Sequence, residues 1–389
     1  MRAYHLAPAA LTGAVTPPPS KSLLHRILIA RGVAGGPLTL PEGASEDIQA
    51  TFRCVQGLTG CGDPLHLDCG ESGSTLRFLI PVALALGEEC RFLGRGRLME
   101  RPLAPYFSIF REQHITWEMK GAALELRGRL RPGTFVLPGN ISSQFVTGLL
   151  LALPLLEGNS MIRLSTPLES RGYVDLTLAV LEQFGISVME KERAFLVPGD
   201  QRYKDCPMEA EPDWSQGAFW YAANFLGHRV EIIGLKGDSL QGDSAVVQLA
   251  ERMARPGDIS LDMSQLPDLL PAAALMAAVR RGRTRLGNAA RLRYKESDRL
   301  RSVTEVLTRL GSQVEEKADG LLITGPTVLR GGVTVDPQGD HRIAMMAAIA
   351  ATVCPQGVEL LDGGCVNKSY PSFWEDYQKL GGAVHVSGS

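Results

Sequence analysis

The sequence predicts an α/β protein of two domains assembled from one repeated unit, and three observations carry that expectation. At 389 residues the chain is longer than a single hydrophobic core usually supports. Helical apolar stretches, each opened by a polar or charged cluster, recur along its whole length with short β-like runs between them. Near the midpoint, residues 208–213 contain Glu209-Ala210-Glu211-Pro212, a linker-like break.

Helix starts fall near Lys21, Glu46, Ser72, Pro102, Ser142, Arg171, Asp213, Gly242, Pro267, Glu296, Asp340 and Tyr370. Strand candidates lie at residues 37–40, 123–126, 161–164, 229–233, 321–324 and 358–361. Two helices per unit give six units of about 65 residues, three in each half. The stiff segment Thr16-Pro17-Pro18-Pro19-Ser20 marks a second crossing between halves. The expected domains are therefore 17–210, and 1–16 together with 211–389.

Composition narrows the function. Hydrophobic residues make up 44%, enough for sizeable cores. Lys plus Arg number 40 against 42 Asp plus Glu, and aromatics are only 6%, which argues against a nucleic-acid partner. The seven cysteines (Cys54, Cys61, Cys69, Cys90, Cys206, Cys354, Cys365) form no Cys-x-x-Cys pair. Neither a disulfide framework nor a structural zinc site is expected, and a reducing compartment fits. The first residues lack a signal-peptide pattern, and the longest apolar run, 145–156, is too short for a bilayer and contains Pro154. A cytoplasmic protein with no membrane partner is expected.

The densest cluster is Arg291-Leu292-Arg293-Tyr294-Lys295-Glu296-Ser297-Asp298-Arg299-Leu300. It leads into a helix whose Leu300, Val303, Leu307 and Leu310 share one face and which Gly311 ends. Cations at a helix N-terminus oppose its dipole, each by roughly a few tenths of a kcal/mol. A bound anion removes that penalty, because backbone N–H groups, dipole and side chains then converge on it. Taken singly, this helix reads better as an ion-pair face with Glu296 against Arg299. The recurrence changes the balance: Lys21, Arg77, Arg101, Lys295, Arg299, Arg342 and Lys368 all lie at or near such ends. They predict a polyanion site between the two halves. Ser22, Ser142 and Asp340 need no role beyond capping, Gly73 suits a tight turn as well as close ligand approach, and His341 alone reads as a packed or capping histidine.

These residues also match a family. The chain resembles the 5-enolpyruvylshikimate-3-phosphate synthases (3-phosphoshikimate 1-carboxyvinyltransferases) over nearly its whole length. The motifs are Pro19-Ser20-Lys21-Ser22 with Arg26, Ser72-Gly73-Ser74-Thr75 with Arg77, and Glu100-Arg101-Pro102. They continue with Ser142-Ser143-Gln144-Phe145, Ser170-Arg171-Gly172-Tyr173 and Leu266-Pro267-Asp268. Lys295-Glu296-Ser297-Asp298-Arg299, Asp340-His341-Arg342 and Lys368-Ser369-Tyr370-Pro371 complete the series. The resemblance implies the two-domain enolpyruvyl transferase fold, an inverse α/β barrel-like arrangement of six βαβαββ units, three per domain, closing on substrates in the cleft.

It further implies transfer of the enolpyruvyl group of phosphoenolpyruvate to the 5-hydroxyl of shikimate 3-phosphate, releasing phosphate on the way to chorismate and aromatic amino acids. By motif match, Asp268 is the base toward the hydroxyl, Glu296 the acid toward the methylene carbon, and Lys21 a charge neutraliser with a further part in proton transfer. Lys21, Gly73, Arg101, Gln144, Arg299, Arg342 and Lys368 match phosphoenolpyruvate-binding positions. Lys21, Ser22, Arg26, Ser142, Ser143, Gln144, Ser170, Tyr173, Asp268 and Lys295 match shikimate 3-phosphate positions. General acid–base chemistry suffices, so no cofactor and no metal are expected, and the partners implied are the two small-molecule substrates of a monomer.

Two alternatives remain open at this point. The sister family, UDP-N-acetylglucosamine enolpyruvyl transferase, typically carries a reactive Cys where this chain has Gly96. A non-catalytic anion-binding protein on the same scaffold has no use for the carboxylates of Asp268 and Glu296. The chain also departs from the common pattern at Glu71, Ser72, Gly172, Arg291 and Gly339; at position 291 the family commonly has Asn.

Overall fold

The structure, a computed structural model, describes residues 2–60, 66–87 and 89–387. Cys61 lies outside them, and none of the other six cysteines is in a disulfide. The chain divides into two compact units, Ser20–Ala210 and the combination of Met1–Pro19 with Glu211–Ser389.

The chain opens with β1 (Ala3–Ala7) and β2 (Thr12–Val15) of the second of these, then enters the Ser20–Ala210 unit. There it forms α1 (Lys21–Val33), α2 (Glu46–Leu58), β3 (His66–Asp68), α3 (Gly73–Leu86), β4 (Cys90–Leu93), α4 (Ala104–Gln113), β5 (Thr116–Lys120) and β6 (Ala123–Arg127). β7 (Thr134–Leu137), α5 (Ser143–Ala152), β8 (Ser160–Leu164), α6 (Arg171–Gln183), β9 (Met189–Lys191) and β10 (Ala194–Val197) follow. Each βαβαββ run closes its own sheet. The orders are β3-β4-β6-β5 and β7-β8-β10-β9, with the first pair parallel and the other neighbours antiparallel.

The other unit continues with α7 (Trp214–Phe225), β11 (Arg229–Ile232), α8 (Val246–Ala254), β12 (Ile259–Asp262), α9 (Leu270–Val279), β13 (Gly282–Gly287), α10 (Arg299–Arg309), β14 (Gln313–Lys317) and β15 (Gly320–Gly325). It ends with β16 (Val333–Val335), α11 (His341–Ala351), β17 (Val358–Leu361), α12 (Phe373–Lys379) and β18 (Ala383–Ser387). The sheet β12-β13-β15-β14 repeats the same order. So does β16-β17-β1-β18, in which the first strand of the chain stands in the place of the last strand of the repeat. β2 and β11 make a two-stranded parallel sheet.

The helices are the interior and the strands the outside of each unit. α3, α5, α9 and α11 are buried almost all round, as helices with no polar face must be. Several strands alternate instead: β7 reads exposed, buried, exposed, buried, one face on helices and one toward water, while the edge strands β5, β9 and β14 are largely exposed. Each fully buried Leu or Phe contributes about 1.5–3 kcal/mol, whereas an exposed pair such as Arg301–Glu305 contributes about 0–1 kcal/mol. Side-chain burial therefore holds the units together.

Most expected boundaries agree within three residues, and the differences have local causes. Residues 37–40, expected as a strand, are loop; Pro37 and Pro41 bracket them, and a proline cannot donate to a ladder. The helix expected at Glu296 begins at Arg299, because Asp298 caps it by accepting from the Arg301 N–H at 3.2 Å. Among the described residues, α1 and α2 have no strands of their own, so four of the expected six repeats carry full sheets.

Candidate active site

In the Ser20–Ala210 unit, α1 sets Lys21 at its first position, and its Nζ donates to Asp47 Oδ2 at 2.8 Å. That acid stands in the first turn of α2. Ser22 follows on α1, half-buried, and its carbonyl accepts from the Arg26 guanidinium. Arg26 is buried. It also donates to Thr177 Oγ1 at 2.8 Å, the Tyr173 carbonyl at 2.7 Å and Thr147 Oγ1 at 3.4 Å, and it lies over the Phe78 ring. Burial pushes its pKa down to about 9. In this structure Arg26 ties α1 to α6 and turns most of its donors inward.

Gly73 opens α3 beneath three polar groups. A Cβ there would stand 2.8 Å from Arg101 Nη1, 3.5 Å from Arg77 Nη1 and 3.6 Å from Gln144 Oε1, so any larger residue would push the Arg101 guanidinium aside. Arg77 donates to Gln144 Oε1 at 2.7 Å, and Gln144 Nε2 donates to Ser74 Oγ at 3.0 Å. Arg101 is 8% exposed. Ser142 caps α5 by accepting from the Gln144 N–H, and Ser143 is buried behind it. Ser170 precedes α6 in the left-handed region at φ 55, buried, with Tyr173 half-buried a turn later. Arg171 is drawn away from this group, to Asp175 and Glu190. Glu71, a departure from the common pattern, lies against the backbone of Gly96.

In the other unit three helix entrances meet on one guanidinium. Arg299, with 0% of its side chain exposed, donates to Asp268 Oδ1 at 2.9 Å, Glu296 Oε2 at 2.6 Å and Asp340 Oδ2 at 3.0 Å. Arg342 reaches Asp268 Oδ2 at 2.9 Å and lies against His341 Nε2 at 2.6 Å. Lys295 Nζ stands 3.7 Å from Asp268. Asp340 caps α11 and also accepts from Ser297. Lys368 donates to the carbonyl of Gly339 at 2.8 Å, and Gly339 holds φ +69, the left-handed region that glycine accommodates.

The dipole penalty on Arg299 is thus relieved inside the protein by three carboxylates, of which the sequence suggested Glu296, with a bound anion as the other source. The pairing of Glu296 with Arg299, read as a solvated surface contact, joins a half-buried carboxylate to a fully buried guanidinium. Burial pushes the Asp268 carboxyl up, but Arg342, Lys295 and Arg299 outweigh it and hold Asp268 well below the usual carboxylate range. Burial lowers Lys295 to about 8, with Arg299 and Arg291 adding to the shift and Asp268 and Glu296 opposing it. Arg291 itself donates to the Ser264 carbonyl.

Two acids escaped sequence reasoning. Asp47 looked like an ordinary first-turn acid. Asp243 sits one residue after Gly242, accepts from Ser215 Oγ and is 3% exposed. Burial, with the charge of Asp268 nearby, raises it to about 7. Among the described residues no group of three or more His, Cys, Asp or Glu is placed to hold a metal ion, and no helix is long and apolar enough to cross a membrane.

The family model for EPSP synthase (3-phosphoshikimate 1-carboxyvinyltransferase) matches residues 45–377. The chain is 40% identical to the 3-phosphoshikimate 1-carboxyvinyltransferase of Clostridioides difficile (strain 630), covering 99% of this chain and 98% of that one. It is 42% identical to the protein of the same name from Clostridium botulinum (strain Alaska E43 / Type E3), covering 99% of each. Among solved structures, EPSP synthase from Acinetobacter baumannii superposes with a TM-score of 0.78 at 21% identity, covering 100% of both chains. The enolpyruvyl transferase NikO from Streptomyces tendae gives 0.79 at 17% identity over 100% of this chain and 99% of that one. These two likenesses establish the two-domain enolpyruvyl transferase fold.

Proposed function

The chain belongs to the EPSP synthase family, and from that premise we propose how its residues transfer the enolpyruvyl group of phosphoenolpyruvate to the 5-hydroxyl of shikimate 3-phosphate, with release of phosphate. The observation that carries the reading is the sharing of Arg299 by Asp268 and Glu296, with Lys295 near the same Asp268 oxygen and Arg342 on the other one. Two carboxylates among cations serve a reaction that moves protons between two anionic substrates.

In the addition step the 5-hydroxyl oxygen bonds to C2 of phosphoenolpyruvate. Its proton leaves to Asp268, and C3 gains a proton from Glu296. In the elimination step C3 returns a proton to Glu296, the C2–O bond to phosphate breaks as the proton held by Asp268 passes to the departing phosphate, and the double bond reforms. Asp268 at rest is firmly ionised by its three cations, which makes it a hydrogen-bond acceptor for the hydroxyl but a weak base. Substrate phosphate and carboxylate groups compete for those same cations. Their arrival raises the proton affinity of Asp268 when the hydroxyl is in place.

Arg101, Arg77 and Gln144 around Gly73, together with Lys21, supply donors for phosphoenolpyruvate; Arg299, Arg342 and Lys368 complete its set. Ser22, Ser142, Ser143, Ser170, Tyr173 and Lys295 serve shikimate 3-phosphate, with Arg26 shaping that surface from behind. A cytoplasmic monomer goes with this reading. Phosphate release assayed with phosphoenolpyruvate and alternative acceptors tests it. Release that requires shikimate 3-phosphate supports the proposal; release with UDP-N-acetylglucosamine instead, or with neither, refutes it.

A further inference from the structure

α1 carries His25 one turn beyond Lys21, and packing leaves it 1% exposed. Its Nδ1 lies 2.6 Å from Oγ1 of Thr51 on α2, and that oxygen lies 2.6 Å from Oγ1 of Thr75 on α3. Thr75 donates in turn at 2.7 Å to Oγ of Ser72, the cap of α3. Both threonines are wholly buried. Their hydroxyls stand 3.3 and 3.4 Å from the carbonyl of Asp47, whose carboxylate grips Lys21. A single run of polar atoms therefore crosses apolar packing and joins the first two turns of the three helices that bear Lys21, Asp47 and Gly73.

Apolar contact alone would fill this space without directing it. A hydrogen-bonded run tolerates only a few tenths of an ångström, because each link has a preferred length and direction. It therefore fixes the backbones of α1, α2 and α3 relative to one another more tightly than packing does. The imidazole suits the position. Burial, then the charges of Lys21 and Arg26, hold its pKa well below the usual range, so it stays neutral and adds no cation beside Lys21.

We propose that His25, Thr51 and Thr75 are positioning residues that fix the Asp47 carboxylate, and through it the Lys21 ammonium, against the Gly73 entrance of α3. The inference rests on the function proposed above, in which Lys21 and Gly73 meet substrate.

Steady-state kinetics of Thr51→Val and Thr51→Ser, alone and with Asp47→Asn, test it. Thr51→Val lowers kcat by about tenfold or more, and Thr51→Ser, which keeps the hydroxyl, restores it. In the Asp47→Asn background Thr51→Val lowers kcat no further, because both changes act through the same ammonium. A Thr51→Val enzyme with undiminished kcat and only a lower melting temperature overturns the proposal, as do multiplicative losses in the double variant. Should Thr51→Val not fold, His25→Asn and His25→Leu are compared. A kcat retained by Asn and lost by Leu supports positioning, and equal kcat values overturn it. A wild-type protein that releases no phosphate in the same assay refutes the reading of function and this inference with it; an active wild type confines any failure to the inference.

Discussion

Arg299 Nη1 stands 2.9 Å from Asp268 Oδ1, with the arginine side chain fully buried and the aspartate 15% exposed. The same guanidinium serves Glu296 and Asp340, so both carboxylates assigned to the chemistry are held by one group. That arrangement ties the stability of the unit to its reactivity.

Removing the shared cation leaves three carboxylates facing one another in a poorly hydrated place. Breaking such a buried cluster costs about 3–5 kcal/mol. Arg299→Met is expected to lose stability of that order in urea unfolding. Arg299→Lys, which keeps the charge without the planar fork, is expected to lose less while its activity still falls. A midpoint unchanged in Arg299→Met contradicts the structural account of the cluster.

Space at Gly73 is set by Arg101. Gly73→Ala puts a methyl group 2.8 Å from Arg101 Nη1, which forces the guanidinium aside. Arg101→Lys removes the fork that grips a planar carboxylate or a phosphate by two parallel bonds. Both variants are expected to raise the Michaelis constant for phosphoenolpyruvate, Arg101→Lys by more than about tenfold, equivalent to about 1.4 kcal/mol. Unchanged constants would show that Arg101 does not clamp this substrate.

Asp268→Asn keeps the shape of the site and removes the proton acceptor. General acid–base groups contribute roughly 10²–10⁴ in rate, and kcat is expected to fall within that range. Binding of shikimate 3-phosphate, followed by calorimetry, is expected to persist. A variant with near-normal turnover places the base elsewhere.

Asp243 supplies a pH prediction away from catalysis. Burial and the neighbouring Asp268 raise it from 3.8 to about 7. Between those values the folded state holds more protons than the unfolded chain, so this group's contribution to stability declines as pH rises through 7. Asp243→Asn is therefore expected to raise the melting temperature relative to wild type more at pH 8 than at pH 5. A larger gain at pH 5 would reverse the assigned direction.

Local chemistry made much of this legible before any coordinates. Ser142 and Asp340 cap helices as their patterns suggest, and the apolar stretches that open after them are buried; Ser22, read as a cap, lies inside α1, whose N-cap position is Ser20. The failures share one cause: a sequence shows a residue's type and spacing, but not which distant residue meets it. Residues 37–40 have strand-like spacing, yet the prolines at 37 and 41 deny them a ladder. Asp47 and Asp243 resemble routine helix-start acids until Lys21 and Ser215 are seen against them. The misplaced charge of Arg299 was recognised, but its compensation comes from Asp268, 31 residues earlier, and Asp340, 41 residues later.

Hydrogen exchange at the methylene carbon of phosphoenolpyruvate during turnover in deuterium oxide tests the central claim most directly. Addition of a proton at C3 followed by elimination passes through a methyl group, so the account predicts deuterium in the vinyl position of the product and of recovered phosphoenolpyruvate. This labelling should require shikimate 3-phosphate and disappear in Glu296→Gln. Product formed by the wild-type protein with no deuterium at that carbon would contradict it.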